Sequence, residues 1–211
     1  MQQITCILLL LWLPVSLAIT TQNLNNSTIA LPGCPTKCGN LTVQYPFGVG
    51  LDAGCSIGPW FDINCNTSFN PPKPFLSKTN GEIINISDTK IRTKSNGIAS
   101  RCYNPTGGLW NHTNVSSFNL CGYSFLGEQG SYTFHPSDVS DQNFVPRIVE
   151  TVPMVIDWVI GNQTCAETQK SSQFACQENS TCVDSETGLG GYSCSCANGY
   201  EGNPYLRSGE G

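Results

Sequence analysis

Charge, histidine and long apolar runs are all scarce in this chain. Lys and Arg number 10 and Asp and Glu 15 among 211 residues, for a net charge of −5. A chain so sparsely and negatively charged lacks the basic footprint of a nucleic-acid binder, and that partner class is excluded. Only two histidines occur. His112 lies inside an Asn-X-Thr sequence and His135 precedes Pro136, so neither stands in an evident Ser/His/Asp arrangement. No spacing among the carboxylates selects the pair that a glycosidase needs. No catalytic residue is assigned, no cofactor is implied, and an enzyme is not expected.

The apolar run from Ile4 to Leu13 is interrupted only by Thr5. It is too short for a membrane helix, which needs about 20 apolar residues. Pro14 and the small-residue site Ser16-Leu17-Ala18 follow it, which predicts a signal peptide over residues 1–18 cleaved after Ala18. The most apolar later stretch, Val152 to Ile160, is broken by Pro153 and Asp157. No transmembrane segment is therefore expected, and the product is expected outside the cell.

What the chain does have is cysteine and glycosylation sequence. Nine Asn-X-Ser/Thr sequons stand at Asn25, Asn26, Asn40, Asn66, Asn85, Asn111, Asn114, Asn162 and Asn179, and modified asparagines must lie on the surface. Loss of Cys6 with the signal peptide leaves 12 − 1 = 11 cysteines, which an oxidising compartment drives into disulfides. Cys34, Cys38, Cys55, Cys65, Cys102, Cys121, Cys165, Cys176, Cys182 and Cys194 are the disulfide candidates. Cys34-X3-Cys38 has tolerable spacing for zinc, but the secretory context favours disulfides and no metal site is assigned.

Composition divides the chain. Residues 19–30 are polar and carry sequons, and read as a flexible segment. Residues 31–160 hold short strand-like pieces, Leu41 to Tyr45, Glu82 to Ile86 and Val152 to Ile160, amid Gly, Pro and Asn. Tyr123-Ser-Phe125 and Tyr132-Thr-Phe134 alternate around Gly127-Glu-Gln-Gly130, which predicts a hairpin. No amphipathic helix of convincing length is visible. Residues 161–211 contain five of the remaining cysteines, too little apolar material for a core without crosslinks. The predicted class is small, disulfide-rich and mainly β, in two modules.

The run Cys34-Pro-Thr-Lys-Cys38-Gly-Asn-Leu-Thr-Val-Gln-Tyr45-Pro-Phe47-Gly48, with Cys55-Ser-Ile-Gly-Pro-Trp60-Phe61-Asp-Ile-Asn-Cys65, resembles the galacturonan-binding domain of plant wall-associated receptor kinases. Asn111-His-Thr113 through Phe134, and Asp157 through Glu167, resemble the same ectodomains. That likeness implies binding of polygalacturonate, the acidic polysaccharide of pectin, in the cell wall. It also implies an EGF-like second module pairing Cys165 with Cys182 and Cys176 with Cys194. Relative to the family the first module looks shortened near residues 103–110. The EGF-like module looks truncated, which leaves Cys196 without a partner and open to crosslinking. Neither a membrane helix nor a kinase is seen, so a kinase-less receptor-like protein, a decoy or a fragment is expected. EGF-like modules also serve as docking surfaces, so an extracellular protein-interaction or decoy module without carbohydrate binding is the alternative.

For the polyanion the candidate contacts are Lys73, Lys78, Lys90, Arg92, Lys94 and Arg101. They outnumber Glu82 and Asp88 by 6 − 2 = 4 charges over that stretch, while residues from Glu128 onward are acidic. Arg can grip a carboxylate with two hydrogen bonds and Lys acts as a point charge. Tyr45, Phe47, Trp60 and Phe61 are expected in the core rather than against sugar. No acidic cluster precedes Cys165, so no calcium site is expected, and Asp184 reads as a plain surface residue.

Overall fold

Short strands separated by turns build the molecule, as the density of Gly, Pro and Asn dictates. The computed structural model describes residues 29–95, 98–102 and 121–207. The signal peptide, nearly all of the segment 19–30, the stretch 103–110 and the sequons at Asn25, Asn26, Asn111 and Asn114 lie outside the described residues. Along the chain run β1 (Lys37–Cys38), β2 (Leu41–Thr42), β3 (Gly48–Val49), β4 (Asp62–Asn66), β5 (Lys73–Leu76), β6 (Ile83–Ile86) and β7 (Lys90–Lys94). They are followed by β8 (Ile98–Cys102), β9 (Cys121–Phe125), α1 (Phe144–Thr151), β10 (Pro153–Asp157), α2 (Cys165–Thr168), β11 (Ser180–Asp184) and β12 (Tyr192–Cys196). The fold is mainly β, as its sequence suggests.

Two three-stranded sheets carry the first module, in the orders β3-β4-β5 and β10-β7-β6. The middle strand β7 alternates, with Ile91 and Thr93 buried and Lys90, Arg92 and Lys94 on the other face, the period-two pattern of a half-buried strand. The apolar run from Val152 supplies β10, whose Val155 and Ile156 stand opposite Arg92 and Ile91. Disulfides Cys34–Cys55 and Cys38–Cys65 fasten the N-terminal loops to β4 and the turn before it. Backbone register sets Cys102 opposite Cys121 in the β8–β9 pair.

Three expectations need correcting. The hairpin predicted between residues 123–125 and 132–134 does not form. Instead β9 pairs with β8, and Tyr132 meets Phe125 ring to ring at 5.3 Å from outside any strand. A helix, α1, was invisible in the sequence because only Phe144 and Ile148 of its eight residues are buried, a single i, i+4 pair. Asp184 is more than a surface carboxylate, since its Oδ1 accepts the Cys165 N–H at 2.6 Å.

In the second module Cys165 is joined to Cys182 and Cys176 to Cys194. These crosslinks and the β11–β12 ladder hold it together, while the Cys196 thiol is free, facing the Gly202 carbonyl at 3.4 Å. Its apolar residues join those of the first module. One cluster runs from Val43, Phe47, Ile63 and Ile91 through Trp158 and Ile160 to Tyr192, Cys194 and Tyr205. Ile160 and Tyr192 exchange backbone hydrogen bonds at 2.7 and 3.2 Å. Asn203 Nδ2 donates to the Tyr45 carbonyl at 2.6 Å. Burial pushes the Tyr205 phenol up to about 12, so it stays neutral while its oxygen accepts the Cys194 N–H at 2.8 Å.

A smaller cluster of Phe144, Ile148 and Val152 sits under Tyr132. Beside it Asp138 is buried and accepts the His135 N–H at 2.9 Å, the Tyr132 hydroxyl at 2.7 Å and Arg147 at 2.7 Å. The His135 N–H, then the Tyr132 hydroxyl, hold its carboxyl below the usual range, against the opposing effect of burial. A depressed carboxyl contributes stability that is fully present above its unfolded pKa of about 3.9 and lost as pH falls through the lower folded value. Thermal midpoints recorded from pH 7 down to pH 3 are expected to fall less steeply for Asp138→Asn than for the natural protein. Parallel curves would assign the acid sensitivity to other carboxylates.

Candidate functional site

The solvent face of β7 puts Lys90, Arg92 and Lys94 at alternate positions. Around it the sequence-local excess of positive charge is answered by acids from far along the chain. Glu128 pairs with Arg92, and Arg92 Nε is buried without a hydrogen-bond partner. Lys94 Nζ lies 2.6 Å from Glu150 and 3.7 Å from Glu82, and the Glu150 hydrogen bond raises its pKa. Lys73 reaches Glu82 at 3.1 Å while standing 4.8 Å above the Phe69 ring. Among the described side chains, Lys73, Arg92 and Lys94 are thus held in ion pairs.

Lys78 and Lys90 are exposed and have no acidic partner among the described residues. Lys90 has Asp157 as its backbone partner on β10, without an ion pair between them. Arg101 lies on β8 opposite Gly122. A seventh cation, Lys37 on β1, is exposed as well. Sequence reasoning missed it because it falls outside the basic stretch, and only its isolation from acids marked it.

Of the motif aromatics, Phe47 is buried against Phe61 at 5.0 Å and Trp158 at 5.2 Å, and Tyr45 is half-buried. Trp60 departs from expectation, since the residue is 70% exposed. The cause is local: the Phe61 N–H donates to the Gly58 carbonyl at 2.8 Å, and this turn sends Phe61 inward and Trp60 outward. Among the sequons, Asn40, Asn85, Asn162 and Asn179 are exposed and Asn66 is half-buried.

Concavities among the described residues include two beside these elements. One, of about 180 Å³, lies at the joint between the modules beside Tyr45, Trp158 and Asn203. The other is an open groove of about 310 Å³ lined by Asn40, Phe69, Pro71, Lys73 and Ile84. Among the described residues no group of three or more His, Cys, Asp or Glu is placed to hold a metal ion, and no helix is long and apolar enough to cross a membrane. Exposed ammonium groups, ion-paired cations and an outward indole can bind an anionic polymer; they supply no nucleophile and base in reach of one another.

Residues 34–98, which hold both sheets' N-terminal strands and most of these cations, match the family model described as wall-associated receptor kinase galacturonan-binding. Residues 164–204 match the EGF-like domain. The chain is of the wall-associated receptor kinase ectodomain family. Both matched domains are of non-catalytic kinds.

Wall-associated receptor kinase 2 of Arabidopsis thaliana is 48% identical over 99 residues, covering 47% of this chain and 13% of that protein. Wall-associated receptor kinase 3 is 43% identical over 184 residues, 87% of this chain and 21% of the relative. For wall-associated receptor kinase 1 the figures are 38% over 255 residues, 83% and 34%. The chain thus spans between 13% and 34% of these relatives' length. No solved structure matches it.

Proposed function

We propose that this ectodomain binds polygalacturonate, the de-esterified backbone of pectin, in the plant cell wall and outside the cell, without chemical turnover. The observation that carries the reading is the galacturonan-binding match over residues 34–98 on a surface whose Lys78 and Lys90 have no acid among the described residues to neutralise them. In this reading those two lysines contact uronate carboxylates directly. Lys73, Arg92 and Lys94 exchange Glu82, Glu128 and Glu150 for polymer carboxylates or simply hold the face positive, and Arg101 extends the same set. Exposed ion pairs contribute only about 0–1 kcal/mol each, so affinity comes from several contacts along one chain.

The test is binding of the secreted, glycosylated protein to polygalacturonate and to a neutral glucan across a salt series. Binding to the acidic polymer alone, weakening with salt, is expected. Lys78→Ala with Lys90→Ala is expected to weaken it about three- to tenfold, as two exposed charge contacts imply. Folded protein that ignores the acidic polymer would refute the reading and put the extracellular protein-interaction alternative, through the EGF-like module, ahead.

A further inference from the structure

We propose that Trp60 is the stacking platform of a uronate subsite, with the Lys78 ammonium as its carboxylate contact. The inference rests on the polygalacturonate reading and adds to it a ring-recognising element that charge does not supply.

A single exposed apolar side chain is ordinary on a protein surface. Trp60 differs in how it is held. The Phe61 N–H closes the Gly58-Pro59-Trp60-Phe61 turn, and the Pro59 carbonyl accepts the Ser77 hydroxyl at 2.8 Å. Directly after it, Phe61 packs 5.0 Å from Phe47 and 5.8 Å from Trp158. Asp62, 5% exposed, accepts the Ser56 hydroxyl at 2.5 Å. With the backbone fixed on both sides, Trp60 is left 70% exposed on a rigid mount, and a preformed platform orders little on binding.

The same contacts bring a cation-bearing segment alongside. The Ser77 N–H donates to the Asp62 carbonyl at 3.1 Å, and its hydroxyl to Pro59. The segment ending in Lys78 therefore runs alongside the segment carrying Trp60. Lys78 is exposed and without an acidic partner among the described residues. A hexuronate offers the complementary pair: a face of C–H groups, electropositive against the negative face of an indole, and a carboxylate at the ring's edge for an ammonium.

The other exposed aromatic near a cation is less suited. Phe69 has Lys73 over its face, and Glu82 already neutralises that lysine. Its groove is also rimmed by the Asn40 sequon, whose glycan would compete for the space.

The experiment titrates the secreted natural protein, Trp60→Ala, Trp60→Tyr and Lys78→Ala with two polyanions, polygalacturonate and linear polyphosphate, which carries charge but no rings. Trp60→Ala is expected to weaken polygalacturonate binding about tenfold at every salt concentration with an unchanged salt slope, as loss of one stacked ring implies. Trp60→Tyr restores most of it. Lys78→Ala is expected to flatten the salt slope toward both polymers, whereas Trp60→Ala leaves polyphosphate binding as it was. Because the indole is exposed, thermal midpoints of all variants should match the natural protein. Full-strength polygalacturonate binding by Trp60→Ala overturns the subsite alone, as does an equal loss toward polyphosphate. Absence of polygalacturonate binding by the natural protein overturns the function and the subsite together.

Discussion

Phe47→Ala is expected to cost about 3–5 kcal/mol of stability, the range for truncating a buried phenylalanine. Phe47 is 1% exposed and its ring meets Phe61 and Trp158. Trp158 in turn lies 6.1 Å from Tyr205 of the second module. The loss should therefore reach beyond the first module. Amide exchange at Tyr192 to Cys196 is expected to accelerate together with exchange in β4 and β7, as one cooperative unit requires. Acceleration confined to the first module would show that the two modules unfold independently despite their common core.

A second large effect is expected at Gly48, where the obstacle is steric rather than a cavity. A Cβ built there would stand 2.2 Å from the Cys55 carbonyl carbon and 2.5 Å from the Ser56 nitrogen, both backbone atoms. Neither can withdraw cheaply, because Cys55 is crosslinked to Cys34 and Gly48 itself donates to the Phe61 carbonyl at 3.2 Å. Gly48→Ala is expected to abolish secretion of correctly crosslinked protein. Gly58→Ala is the control, since nothing lies within 4 Å of its added carbon and such a surface change shifts stability by about 0.5 kcal/mol or less. Comparing glycosylated product in the medium on non-reducing gels decides the matter; normal secretion of Gly48→Ala would mean that the Cys55 loop yields.

The cysteine spacing made the architecture legible, because pattern and crosslink are local along the chain: Cys165, Cys176, Cys182 and Cys194 sit within one short segment. Strands β2, β6 and β10 were legible in the pieces Leu41 to Tyr45, Glu82 to Ile86 and Val152 to Ile160, whereas β7 was not. The failures share a cause, which is distance in sequence. Phe125 and Tyr132 do meet, and their alternation resembled a hairpin, but both rings also pack on Phe144, on a helix that the local pattern did not reveal. The basic strip looked uncompensated because Glu128 and Glu150, the partners of Arg92 and Lys94, lie 36 and 56 residues further on. Trp60 was expected inside because a small domain needs large side chains to bury. A four-residue turn decided otherwise, and turn geometry outweighs composition at a single position.

The continuous core from Phe47 to Tyr205 also makes the two modules one body. Modules on a flexible linker adjust to any spacing within the tether's reach, at an effective concentration that falls as the tether lengthens. Here Asn203 clamps the second module to the Tyr45 carbonyl, leaving no tether between them. Trp60 on the first module and Leu189, 84% exposed on the second, are therefore held at one separation and one angle. Ligands bound to both surfaces would both be engaged when their spacing matched that of the body, and only one would be when it did not.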